Sequence, residues 1–177
     1  MLKTINQLQN FLTHAAASEP DKIALVADRQ RFTYKQLDEQ SNALANGLQE
    51  LGVMRGDRVV VQLGNCAETI IAFWAVLKAN AIISLISADL KPDKVSYILR
   101  DSGAKIFFAN KEKNISVDYA YWHNLEKIIV LEDTVTKATV INKVLLFEAI
   151  VAAGDHSKPP IVQNLDIDLA SIIYTSG

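Results

Sequence analysis

At 177 residues, with 50% hydrophobic and 21% charged side chains, the chain has the size and composition of one compact domain with a sizeable core. Its net charge is −2, from 18 basic and 20 acidic residues, and no stretch concentrates Lys or Arg, so the electrostatic footprint of a nucleic-acid binder is missing and any bound phosphate must be held by local geometry. The single cysteine, Cys66, excludes an intramolecular disulfide and a cysteine metal cluster, and fits a reducing, cytoplasmic setting.

The first residues, Met1 to Gln7, contain no apolar run resembling a secretory signal. Ile5, Leu8, Leu12, Ala15 and Ala16 follow a helical stripe, which predicts a helix over 5–17 that ends before Pro20. Residues 22–27 read as a short strand, 28–31 as a turn, and Phe32-Thr33 as its return. Thr33 and Gln36 stand at capping-box spacing and open a helix. Leu37, Ser41, Leu44, Leu48 and Leu51 mark its core face, while Asp38, Glu39, Gln40, Asn42, Gln49 and Glu50 mark a polar face. That pattern predicts an amphipathic surface helix closed by Gly52.

From Gly56 onward strands and helices alternate. Residues 58–63 form a β-branched run suited to a buried strand. Asn65 with Glu68 can cap the next helix, whose Ile70, Ile71, Phe73, Trp74, Val76 and Leu77 are apolar almost all round. The greasy window 69–86 is long enough to raise a membrane question. Lys78 and Asn80 interrupt it, so a buried helix followed by a strand over 81–86 explains it better, and no transmembrane segment is expected. Pro92 opens a further helix and Gly103 ends it. Strands follow over 105–109 and 127–131, with a less regular stretch over 110–124 between them. A helix over 144–153 closes at Gly154, a loop covers 157–160, and a last strand spans 169–174. The alternation predicts an α/β fold, a mainly parallel sheet flanked by helices.

The last residues, Ile172-Ile173-Tyr174-Thr175-Ser176-Gly177, are a hydrophobic strand running into hydroxyl residues and glycine. Glycine lets backbone amides approach anionic oxygens and hydroxyls donate further bonds, so the composition suits a phosphate-wrapping loop. An ordinary turn has the same composition.

Three ordered landmarks carry a family resemblance. Phe32-Thr33-Tyr34-Lys35-Gln36-Leu37 continues into Ser41-Asn42-Ala43-Leu44-Ala45, Leu51-Gly52-Val53 and Gly56-Asp57-Arg58-Val59. Leu77-Lys78-Ala79-Asn80-Ala81 is followed by Tyr97-Ile98-Leu99-Arg100-Asp101-Ser102-Gly103-Ala104. Asp168 to Gly177 forms the third. In these the chain resembles the adenylate-forming superfamily, which includes acyl- and aryl-CoA ligases, adenylation domains of peptide synthetases, and luciferases. Asn80 stands where that family usually has glycine and Leu85 where it usually has proline. The run from Leu90 to Leu99 looks more like acyl-CoA ligases than peptide-synthetase adenylation domains.

The resemblance implies that residues 1–177 are one domain, the amino-terminal portion of a larger AMP-binding domain cut at its phosphate loop. It implies an ATP- and Mg2+-dependent, AMP-forming ligase that joins a small carboxylic acid to coenzyme A or to a carrier-protein phosphopantetheine. Thr175, Ser176 and Gly177 are the only positions onto which a family role, phosphate contact, carries over. No catalytic or metal-binding residue is expected here, and the chain alone is expected to be inactive. A catalytically dead binding or assembly module with the same fold is the alternative. Apolar faces exposed by the truncation would favour self-association.

Other chemistry-bearing residues have plainer readings. Cys66 near a helix start suits an activated thiol, but a small packed cysteine is the simpler reading. His14, His123 and His156 show no ligand spacing. Asp166 and Asp168 could form a carboxylate pair but serve equally as polar residues before a strand. Tyr119, Tyr121 and Trp122 could stack a ligand, and satellite-core packing explains them as well.

Overall fold

Thr33 does what its spacing requires: its Oγ1 accepts from Gln36 N (3.2 Å) and its own N–H donates to Gln36 Oε1 (2.9 Å). A computed structural model describes residues 7–27, 29–109, 124–131, 144–161 and 164–175. In chain order the elements are α1 (Gln9–Ser18), β1 (Ile23–Ala27), β2 (Gln30–Thr33), α2 (Tyr34–Glu50), β3 (Arg58–Gln62) and α3 (Ala67–Lys78). They continue with β4 (Ile82–Leu85), α4 (Pro92–Ser102), β5 (Ile106–Ala109), β6 (Lys127–Val130), β7 (Val144–Leu146) and α5 (Phe147–Ala153). β1 and β2 form an antiparallel hairpin, and the other five strands form one parallel sheet in the order β4-β3-β5-β6-β7.

The strand order follows from two crossovers in opposite directions. α3 carries the chain from β3 out to β4, and α4 brings it back past β3 to β5. The helices therefore cover both faces, and the strands must be apolar on both. Val59, Val61, Ile83, Ile106, Phe108 and Ile129 face the core shared with α2 and α3. Val60, Phe107, Ala109, Ile128 and Val130 face the core shared with α4. Burying each large apolar side chain of this kind stabilises the fold by about 1.5–3 kcal/mol.

Helices α2, α3 and α4 end alike. The N–H groups of Gly52, Asn80 and Gly103 bond back to Gln49, Leu77 and Arg100, and those of Val53, Ala81 and Ala104 bond back to Leu48, Val76 and Leu99. This paired closure requires a left-handed residue at the turn, and Gly52, Asn80 and Gly103 have φ of 87°, 59° and 62°. Asn80 thus supplies what glycine would supply at that landmark, because Asn tolerates this region better than other side chains. Cations lie on the freed carbonyls. Arg58 donates to Ser102 O (2.7 Å), Gly103 O (2.9 Å) and Gly56 O (3.1 Å), and Lys105 donates to Gly52 O (2.6 Å).

Several expectations are corrected. The first helix starts at Gln9 rather than residue 5, and residues 1–6 lie outside the described set. α2 is not a surface helix: α1, α3 and α5 pack around it, so Asn42 and Ser41 are buried with Leu44 and Leu48. Cys66, not Asn65, is the N-cap residue of α3, and no side chain caps it. Residues 144–146 extend the sheet beside β6 before α5 begins, because the β-branched start at Val144 finds a strand partner. The predicted last strand over 169–174 is reduced to one parallel bridge between Ser171 and Ile83. Of the stretch over 110–124 read as less regular, residues 110–123, with Tyr119, Tyr121, Trp122 and His123, lie outside the described residues.

Candidate functional site

The third landmark lies along the β4 edge of the sheet. Ile83 N donates to Ala170 O (3.1 Å) and Ile172 N donates to Ile83 O (3.0 Å), the slanted pattern of a parallel pair. The chain therefore travels with β4, away from that strand's amino end, as it approaches Thr175. In doubly wound sheets the carboxyl ends of the strands are where ligands sit. Thr175 is exposed; Ser176 and Gly177 lie outside the described residues.

The segment leading there is fastened at several points. Gln7 Nε2 donates to Asn164 O, and Arg55 pairs with Asp168. Asp168 also accepts from Leu165 N (2.9 Å), and the hydrogen bond from Arg55 is the main reason its carboxyl sits below the usual carboxylate range. Its role is thus to shape the turn, and the structure gives no support to an acid–base pair with Asp166. Tyr174 packs against the core on the α4 face and donates to Asp101 Oδ2 (2.8 Å). Loss of solvation, with Asp101 adding to it, pushes the Tyr174 phenol up to about 12.

At the carboxyl end of β3, Gln62 is fully buried and donates from Nε2 to Ser87 O (3.2 Å), pinning the chain that leaves β4. Cys66 lies in the short connection from β3 to α3, just before the helix. Burial pushes its thiol up despite a nearby helix terminus, and Sγ lies 3.4 Å from Thr69 Oγ1, so the packed reading holds over the activated one. Among the described residues no group of His, Cys, Asp and Glu could hold a metal ion. No described helix is long and apolar enough to cross a membrane.

Sequence reasoning missed a polar cluster that joins the first two landmarks. Lys78 Nζ donates to Asp38 Oδ1, Ser41 Oγ and Asn42 Oδ1, each at 2.7 Å, and to Asp38 O at 3.1 Å. Burial is the main influence on Lys78 and lowers its pKa, while the Asp38 charge opposes that shift. The available signal was spacing: Asp38, Ser41 and Asn42 share a helix face at i, i+3 and i+4.

A parallel sheet with helices on both faces, and with its third landmark laid beside an edge strand, defines a doubly wound α/β fold. The family model described as AMP-binding enzyme matches residues 12–177. Tyrocidine synthase 1 of Brevibacillus parabrevis is 33% identical over 99% of this chain, which spans 14% of that protein. Phosphinothricin tripeptide synthetase PhsC of Streptomyces viridochromogenes is 31% identical over 96% of this chain, again 14% of the relative's length. The crystal structure of the anthranilate CoA ligase AuaEII with anthranoyl-AMP superposes at a TM-score of 0.83 with 26% identity, covering 96% of this chain and 31% of that one. Coronafacic acid ligase from Pectobacterium brasiliense, at a TM-score of 0.81 and 21% identity, covers 94% and 33% and shares the fold. The chain belongs to the AMP-binding enzyme family.

Proposed function

We propose that residues 1–177 are the amino-terminal part of the nucleotide-binding domain of an ATP-dependent, AMP-forming carboxylate ligase. The observation that carries this reading is the parallel placement of residues 170–172 beside β4, which leads the chain along the strand direction toward Thr175, after which the sequence continues with Ser176 and Gly177. Backbone amides near Thr175, Ser176 and Gly177 would then meet phosphoryl oxygens, with the Thr and Ser hydroxyls as further donors. Because the chain spans only 14% of its relatives and about a third of the superposed structures, the activity is proposed for a polypeptide that continues past Gly177.

In the first half-reaction a carboxylate oxygen attacks the α-phosphorus of ATP, the bond to the bridging oxygen breaks, and pyrophosphate leaves. In the second, a thiol sulfur attacks the acyl carbon, the thiol proton is released, and AMP departs with the former carboxylate oxygen. Magnesium would travel with the ATP. The role proposed for this part of the chain is phosphate contact. The thiol is coenzyme A or a carrier-protein phosphopantetheine. One relative is named a tripeptide synthetase, another a tyrocidine synthase, and the 26% identical structure a CoA ligase, which is compatible with either.

Acid-dependent exchange between pyrophosphate and ATP tests the proposal, run on a polypeptide extending beyond Gly177 against a panel of carboxylic acids. Exchange with at least one acid is expected, together with little ATP binding by residues 1–177 alone in calorimetry. Micromolar ATP binding by the short chain would mean that a complete site exists within it. Absence of exchange with every acid, in a longer chain that folds, would overturn the ligase reading.

A further inference from the structure

Beyond the Lys78 cluster, the same helix carries a second set of contacts toward the carboxyl-terminal part of the chain. Asp38, Asn42 and Asn46 are spaced four apart and form one row along α2. Asn42 Nδ2 donates to Asp38 Oδ2 (3.3 Å) and across to His156 O (3.2 Å). Asn46 Nδ2 is surrounded by carbonyl oxygens: Asp155 O at 3.0 Å, Lys158 O at 2.9 Å and Asn42 O of its own helix at 2.9 Å. Three acceptors around one nitrogen leave only the donor end of the amide suited to that place. The connection after α5 is thus held through its main chain, by bonds that do not depend on the side chains of Asp155, His156 or Lys158.

The connection then enters Pro159-Pro160, two residues with fixed φ, the second of them buried. A stiff dipeptide transmits the direction set at residues 155–158. Beyond it lies the segment over 164–175, whose main-chain bonds to the sheet among the described residues are those at Ile83 and Ile172, alongside the side-chain ties of Asn164 to Gln7, Asp168 to Arg55 and Tyr174 to Asp101.

We infer that Asn42 and Asn46 are positioning residues: the row on α2 sets the path of the 155–160 connection and so brings the 164–175 segment to the β4 edge. Its functional meaning rests on the phosphate-loop reading of Thr175 and the residues after it, but its geometry does not. It also gives the Ser41-Asn42 landmark a purpose, since Asn42 accepts from Lys78 with its oxygen and holds His156 O with its nitrogen.

The test is amide hydrogen exchange on residues 1–177 carrying Asn46→Ala, Asn46→Asp or, as a control on the same helix, Glu50→Ala. Asn46 is only partly buried, and Ala favours a helix interior, so the first variant is expected to fold. Both Asn46 variants remove the donor. The amides of Ile83 and Ile172 should exchange about tenfold faster in each, as expected for losing hydrogen bonds that close a local opening. Phe107 and Ile129, in the sheet centre, and the Glu50→Ala control should keep wild-type rates. Unchanged rates at Ile83 and Ile172 would overturn the inference, as would an equal acceleration throughout the sheet, which marks a general loss of stability. Neither outcome bears on pyrophosphate exchange, so this inference and the ligase proposal fail separately.

Discussion

The ammonium of Lys78 lies 2.7 Å from Asp38 Oδ1, and this one ion pair joins the last turn of α3 to the first half of α2. The Lys78 side chain is 1% exposed and that of Asp38 15%. Removing one member of a buried pair leaves the other charged and unpaired, which costs more than the pair contributes net. Lys78→Met should therefore destabilise the chain by about 3 kcal/mol. Adding Asp38→Leu should recover a good part of that. Urea denaturation of the two single variants and the double variant checks both statements, and additive losses would contradict them.

At Asn80 the backbone requirement can be separated from the side chain. Asn80→Ala places a residue with no αL preference at φ 59° and should be less stable than Asn80→Gly by about 1 kcal/mol. Thermal unfolding of the pair reads the difference, and equal stability would show that the turn relaxes at no cost.

Gly154 fixes how closely α5 approaches α2. A Cβ there would fall well inside contact distance of the Ala43 carbonyl, which is backbone and cannot swing aside. Gly154→Ala should cost roughly 1–3 kcal/mol, whereas Gly56→Ala, with open space but φ 81°, is limited to backbone strain. Denaturant midpoints for both variants test the ordering.

Tyr174 gives a pH signature. Its folded phenol is raised to about 12 from the usual 10, so the neutral form is favoured in the native state. That contribution to stability is fully present below pH 10 and is lost as pH rises through the folded value. Ultraviolet titration should show a late-ionising tyrosine that disappears in Tyr174→Phe. A Tyr174→Phe profile identical to wild type would refute the assignment.

Ile167 and Ile173 are 82% and 77% exposed on the segment beside β4, with Leu169 between them. A run of exposed apolar residues at alternate positions along a sheet edge favours association between chains. Residues 1–177 should sediment with concentration-dependent mass, and Ile167→Lys with Ile173→Lys should shift the distribution toward monomer. A wild-type chain that stays monomeric over a wide concentration range would refute this.

Much of the fold was legible because its signals are local. Thr33 with Gln36, Gly52, Pro92 and Gly103 act within one turn of chain, and each lies where its chemistry demands. The β-branched runs of β3 and β6 and the apolar strand β5 likewise need both faces covered. Misreadings arose where a distant neighbour decides the outcome. Asn42 reads as solvent-facing until α3 and the 155–158 connection close over it, and Lys78 reads as an interruption until Asp38, Ser41 and Asn42 surround it. The strand over 169–174 has strand composition but only one partner, the edge of β4, and keeps a single bridge. Of the candidate site, the sequence marks the Thr-Ser-Gly passage, of which Thr175 alone lies among the described residues.

The matching closures at Gly52, Asn80 and Gly103, with Arg58 and Lys105 tied across them, all lie where helices hand over to strands. Hydrogen bonds from main chain and side chains are thereby gathered at one rim of the sheet. A mutational scan should divide accordingly. Changes along that rim would surface as poor yield and early melting, while the opposite rim would be freer to vary its loops, which is how a shared scaffold can diversify without first coming apart.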